Sequence, residues 1–165
     1  MKANEIIELL KLLPHPEGGY YKETYRSDDS ISFNILNKGH KGKRNLATSI
    51  YYLLESGQVS KFHRLKSDEI WYYHCGSPMR IICLSEGEIS SLILGADISL
   101  GQLPQAIIKA GTIFGATPFD GNSFTLVGCV VTPGFDFKDF EFVRKEDLRK
   151  EYPNSFPAFE KFTYY

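Results

Sequence analysis

The texture of residues 20–132 constrains this chain more than any other feature. It is a succession of short β-branched and aromatic segments: "YYKETYRS", "LATSIYYLL", "VSKFHRL", "EIWYYHC", "MRIICLSE", "EISSLILG", "PQAIIKA", "TIFGAT" and "SFTLVGCVV". The turn-forming stretches "SG", "KSD", "GSP", "EG" and "DGN" punctuate them. Val, Ile, Tyr and Phe suit a pleated surface, and Gly beside Asn, Asp or Ser suits tight turns. Many short strands with such turns build a sandwich or a barrel. "SEGE" at 85–88 is a tight hairpin in which Gly87 takes a positive φ. Helix is expected at each end. Residues 3–13 space their Ile and Leu residues helically, with Asn4 as N-cap and Pro14 as the stop, and "RKEDLRKEY" at 144–152 is short and charged. Residues 28–43 are polar and read as a surface loop or flap. The 165 residues show no repeat and no linker, which predicts a single domain.

A formal charge of −1 and a pI of about 6.4 argue against nucleic acid or an anionic membrane as partner. No stretch approaches the roughly 20 apolar residues that span a bilayer. Glu5 and Glu8 interrupt the first apolar run, so it does not read as a secretory signal. Cys75, Cys83 and Cys129 are spread singly, without metal-binding or disulfide spacing, and are expected to be buried free thiols. Together these features predict a cytoplasmic protein.

The stretch "GQVSKFHRLKSDEIWYYHCG", residues 57–76, carries the candidate chemistry. Side chains along a strand alternate between faces. His63 and Leu65 therefore share one face, and Glu69, Trp71, Tyr73 and Cys75 share a face of the next strand. If His63 points inward, Glu69 can face it across a hairpin. His74 and Asp68 then point away, and His74 reads as a structural or interface residue.

At these residues the chain resembles the cupin superfamily, whose first motif is G, five residues, H-x-H, three residues, E, six residues, G. Gly57, His63, Glu69 and Gly76 match it, and Leu65 stands at the second histidine. The second motif, P-x-G-x-x-H, resembles "KAGTIF" at 109–114, with Gly111 matching and Phe114 at the third histidine. "PHPEGGYYKETYRS", "KFHRLKSDEIWYYHCG" and "CVVTPGFDFKDFE" look like a branch of small cupins designated a domain of unknown function. That branch is similar in fold to the epimerases of dTDP-sugar synthesis and to seed-storage cupins.

The resemblance implies an all-β double-stranded β-helix, or jelly-roll barrel, at 19–143. A helix at 1–14 precedes it, and a helix and tail at 144–165 follow. The family's metal is held by three histidines and a carboxylate. With Leu65 and Phe114 at two of those positions, His63 and Glu69 alone are weak metal candidates, and neither metal nor cofactor is expected. His63, Glu69 and Tyr73 are then the candidates for proton transfer, as in the related epimerases. Tyr52 is a further possible donor. Leu65, Trp71, Phe114, Tyr52, Glu23 and Arg26 are candidates to line a pocket for a small polar ligand, such as a sugar or nucleotide sugar. Arg26 is the best reader of an anionic group, although Glu23 and Arg26 can also pair with each other. "TPGFDFKDFEF" at 132–142 reads as a structural aromatic strap. Cupin N-terminal strands often cross to a second subunit, so a homodimer is expected. Three alternatives stay open: a metal-dependent oxygenase or phosphosugar isomerase with a depleted ligand set, a ligand sensor without catalysis, and a purely structural barrel.

Overall fold

The short apolar segments pair as antiparallel strands in a computed structural model, which describes residues 2–32, 39–119 and 123–164. In chain order the strands are β1 (Leu13–Pro14), β2 (Tyr20–Arg26), β3 (Ser30–Ser32), β4 (Lys43–Asn45), β5 (Thr48–Glu55), β6 (Ser60–Leu65) and β7 (Asp68–Gly76). They continue as β8 (Met79–Ser85), β9 (Glu88–Leu94), β10 (Gln105–Ile108), β11 (Ile113–Pro118), β12 (Phe124–Thr132) and β13 (Phe140–Phe142). One sheet has the order β1-β2-β5-β12-β7-β10, and a second has the order β13-β6-β11-β8-β9. The consecutive-strand neighbours β8 and β9 meet through Glu86 and Gly87, both at positive φ, which matches the twist of a two-residue hairpin.

The core lies between the two sheets, as strand alternation requires. Tyr52, Leu54, Trp71, Val127 and Cys129 of the first sheet meet Met79, Ile81, Leu94, Phe114 and Ala116 of the second. The intervening residues face outward and are covered by helices. Leu53, Phe124 and Leu126 pack under Ile6 and Leu12 from the N-terminal segment. Phe62, Leu84 and Ile113 pack under Leu148, Tyr152, Phe156, Phe159 and Phe162 from the C-terminal one. This is the all-β architecture with terminal helices that the strand pattern predicts, in the jelly-roll form that the resemblance implies.

The helix boundaries differ from expectation. α1 (Ala3–Leu10) is capped at Lys2 rather than Asn4, because the Glu5 carboxylate accepts the Lys2 backbone N–H at 2.8 Å. It ends at Lys11, whose φ of 55° breaks the helix before Pro14. Pro14 pairs with Tyr20 in the β1–β2 ladder. α2 (Lys145–Glu151) lies within the expected C-terminal helix, and a further turn, α3 (Phe156–Phe159), follows it.

Of the 28–43 loop, residues 33–38 lie outside the described residues, and its flanks pair as β3 and β4. Arg44 and His40 from this region converge on the buried Asp139, with Arg44 donating to both carboxylate oxygens at 2.6 and 2.9 Å. That clamp ties the β3–β4 segment to the strap at 132–142. The cysteines are free, but their burial is not uniform: Cys129 is buried, Cys83 intermediate and Cys75 exposed near the end of β7. Among the described residues no helix is long and apolar enough to cross a membrane.

Candidate functional site

One end of the barrel is left unfilled by the core and forms a cavity of about 360 Å3. Five strands supply its walls with residues two apart: Tyr21 and Glu23, Ile50 and Tyr52, His63 and Leu65, Glu69 and Trp71, Cys129 and Val131. The period-two spacing is what sends each pair inward. Arg26 and Thr48 join them near the mouth. Two non-strand segments complete the lining: the turn after β1 gives His15 and Glu17, and the strap gives Phe135, Asp136 and Phe137.

His63 is 2 % exposed, and its Nδ1–H donates to the Lys61 carbonyl at 2.7 Å. That bond selects the tautomer with a free lone pair on Nε2. The ring lies between Phe114, 4.2 Å away, and Phe140, stacked at 5.2 Å. Burial holds its pKa down at about 4, so it is neutral at physiological pH. The carboxylate near it is Glu17, with Oε2 at 3.4 Å from Nδ1. Glu69 is expected to face His63 across a hairpin, but the groups that hold the imidazole are the Lys61 carbonyl and Glu17. Glu17 also accepts the Ser60 hydroxyl at 2.9 Å. Burial, reinforced by the charge of Glu69, raises its pKa well above the usual carboxylate value.

Glu69 is buried, and that burial lifts its pKa to about 7. The Trp71 indole and the Cys129 thiol partly oppose the rise. The geometry of the indole Nε1–H nevertheless falls short of a hydrogen bond, leaving a buried donor without a partner. Tyr52 donates its hydroxyl to the Gly18 carbonyl at 2.8 Å. At the mouth Arg26 and Glu23 form a two-pronged pair, Nε to Oε1 at 2.9 Å and an Nη to Oε2 at 2.7 Å. Arg26 also reaches Asn45 and the Phe135 carbonyl.

The structure thus brings His63, Leu65, Glu69, Trp71, Tyr52, Glu23 and Arg26 to one cavity. It does not bring Tyr73 or Phe114 into the lining. Tyr73 lies further along β7, beside the bulge opposite Leu126 and Val127, and its hydroxyl donates to the Gly76 carbonyl. Phe114 is cross-strand from His63 and almost fully buried, so it backs the imidazole instead of facing ligand. His74 lies outside, edge-on to Tyr51 at 5.8 Å, and Asp68 accepts from the Ala110 N–H and Lys109. His15, Glu17, Phe135, Asp136 and Phe137 were not anticipated. They sit outside the alternating strands or at their edges, and the one pointer to Glu17 was an acid inside the turn "PHPEGG".

The donor set does not suit the metal of the wider superfamily. Leu65 and Phe114 stand where the superfamily has two histidines, so of the motif's imidazoles only His63 Nε2 is left, and burial favours the protonated forms of both acids. Among the described residues no three His, Cys, Asp or Glu are placed to hold a metal ion together.

A two-sheet jelly roll enclosing a lined cavity at one end defines a cupin-type barrel. The family model described as Cupin superfamily (DUF985) matches residues 4–143, and the chain belongs to that family. An uncharacterized protein of Saccharomyces cerevisiae is 33% identical over 157 residues, covering 88% of this chain and 77% of its own. A crystal structure of a Shewanella oneidensis protein is 40% identical, with a TM-score of 0.87 over 99% of this chain and 98% of that one. A hypothetical protein from Leishmania major is 32% identical, with a TM-score of 0.90 over the whole of both chains.

Proposed function

We propose that the chain binds a small polar ligand in the barrel cavity without a tightly bound metal, and that the site is suited to isomerase- or epimerase-type proton transfer. The observation that carries this reading is that two buried carboxyls, Glu17 and Glu69, line one cavity, each held by burial above the usual carboxylate range. Two carboxyls lifted toward neutral pH can exchange the roles of acid and base. Glu69, ionised above pH 7, takes a proton from ligand. Glu17, in the protonated form that its burial favours, returns one. His63 is too weak a base for the first role and instead stays neutral beside Glu17. The two carboxyls re-equilibrate their proton through solvent after each turnover.

Protein purified without a histidine tag should carry no stoichiometric metal, and a set of sugars should raise its melting temperature. The same sugars should raise that of His63→Ala less. Stoichiometric metal that disappears in His63→Ala overturns the metal-free reading. Equal shifts in both proteins overturn the cavity as the binding site.

The proposal includes a second copy of the chain as partner. β10 ends its sheet, and Ile98, Leu100, Leu103 and Ile107 are exposed on or beside it. An apolar edge strand of this kind is stabilised by pairing. Light scattering should give twice the chain mass, and Ile107→Lys should halve it. A monomeric wild type would refute the dimer.

A further inference from the structure

We infer that the ligand of this cavity carries a protonated amine beside hydroxyl groups, as an amino sugar does, because the cavity joins aromatic walls to an excess of carboxylates over cations. This rests on the binding reading above and narrows it. Among the described residues the lining holds four acids, Glu17, Glu23, Glu69 and Asp136, against one permanent cation, Arg26; burial favours the neutral forms of Glu17 and Glu69 in the empty cavity, and a protonated amine lets them ionise where a ligand anion does not. Arg26 is already engaged by both oxygens of Glu23 and lies within the field of Asp136 as well. A phosphate or carboxylate would have to displace Glu23 to reach it and would then meet the remaining acids.

The rings favour the same charge. Tyr21, Tyr52, Trp71, Phe135 and Phe137 line the cavity, and aromatic faces attract organic cations. A second and independent feature asks for an oxygen on the ligand. The Trp71 indole N–H is buried in the lining, near the Glu69 carboxyl but short of full hydrogen-bond geometry, and Trp71 itself is 2 % exposed. Buried donors in folded proteins find partners, so a ligand hydroxyl or ring oxygen completes this one. An amine satisfied by carboxylates and an oxygen satisfied by indole describe an amino alcohol or amino sugar.

The test uses three probes with one carbon frame and different charge: glucosamine, glucose and glucuronate. Binding is measured at pH 6.5 by ligand-observed NMR titration against the full chain. Glucosamine should bind at least about tenfold more tightly than glucose, the equivalent of one charge-assisted hydrogen bond, and glucuronate should bind least. Glu23→Gln, with its fold checked by circular dichroism, frees Arg26 and should shift the order toward glucuronate. A loss of structure alone would weaken all three probes alike. Glucose binding as tightly as glucosamine, or glucuronate binding best to wild type, overturns the amine while leaving the binding cavity standing. Binding of none of the three, with other polar ligands also giving no thermal shift, overturns both.

Discussion

Replacing Glu69 by Gln is expected to stabilise the protein above pH 7 and to leave it within about 1 kcal/mol of wild type near pH 4.5. Burial lifts the folded-state pKa of Glu69 from 4.5 to about 7. A carboxyl raised in this way binds more protons folded than unfolded. Its contribution is full below pH 4.5 and is lost as pH rises through 7. Gln cannot ionise, so the variant escapes that loss. The gap of about 2.5 pH units corresponds to on the order of 3 kcal/mol at pH 8.

The other buried groups shape the profile against which this is read. His15 and His63 have folded-state values lowered to about 4 from 6.5 by burial. Their contribution is present above pH 6.5 and lost as pH falls through 4. Between pH 4.5 and 6.5 the two histidines and two acids of the wild type oppose each other, and stability should be nearly flat. Above 6.5 the acids act alone and stability falls. In Glu69→Gln one acid is gone, so stability should climb from pH 4.5 to 6.5 and then fall less steeply. Urea midpoints at pH 4.5, 6.5 and 8 distinguish the two shapes. Parallel curves for variant and wild type would mean that Glu69 is hydrated, with an ordinary pKa, and would remove the acid–base pair on which the proposed chemistry stands.

How much of this site was legible in the sequence depends on where each residue lies. His63, Leu65, Glu69 and Trp71 sit on strands, and period two assigns a strand residue to a face without knowledge of its neighbours. Parity assigns a face but no depth. Tyr73 shares the parity of Trp71, yet it lies past the cavity beside a bulge that parity cannot register. Phe114 has the right strand and partner, but its bulk places it behind His63. Glu17, Asp136 and the two strap phenylalanines were hidden for a different reason. Loop residues obey no period, and their burial follows from long-range closure. Glu17 is buried because Ser60 lies 43 positions later in the chain and 2.9 Å away in space. The strap is held because Asp139 grips Arg44 from 95 positions earlier. Aromatic spacing at 132–142 indicated an ordered segment without indicating that it meets the cavity.

The turn that delivers Glu17 is also where a single methyl group should have the largest effect. Gly18 has a φ of 111°, and a Cβ there would stand 2.3 Å from the Val59 carbonyl oxygen. The turn cannot easily shift to relieve this contact. The His15 N–H donates to the Gly19 carbonyl, the Gly18 N–H donates to the His15 carbonyl, and Tyr52 holds the Gly18 carbonyl. Gly18→Ala therefore combines backbone strain with a backbone clash and should cost about 3 kcal/mol or more. Gly57→Ala supplies the control. Its φ of 81° imposes comparable strain, but a Cβ there meets nothing within 4 Å. It should cost about 1 kcal/mol. The difference between the two isolates the close approach. It also separates stability from function, because Gly18 moves His15 and Glu17 while Gly57 lies outside the cavity lining. Under conditions where Gly18→Ala remains folded, it should lose ligand-induced thermal shifts that Gly57→Ala retains. If the two glycine variants unfold at the same urea concentration, the turn is not pressed against Val59, and Glu17 owes its place to the Ser60 hydroxyl and the Lys61 N–H.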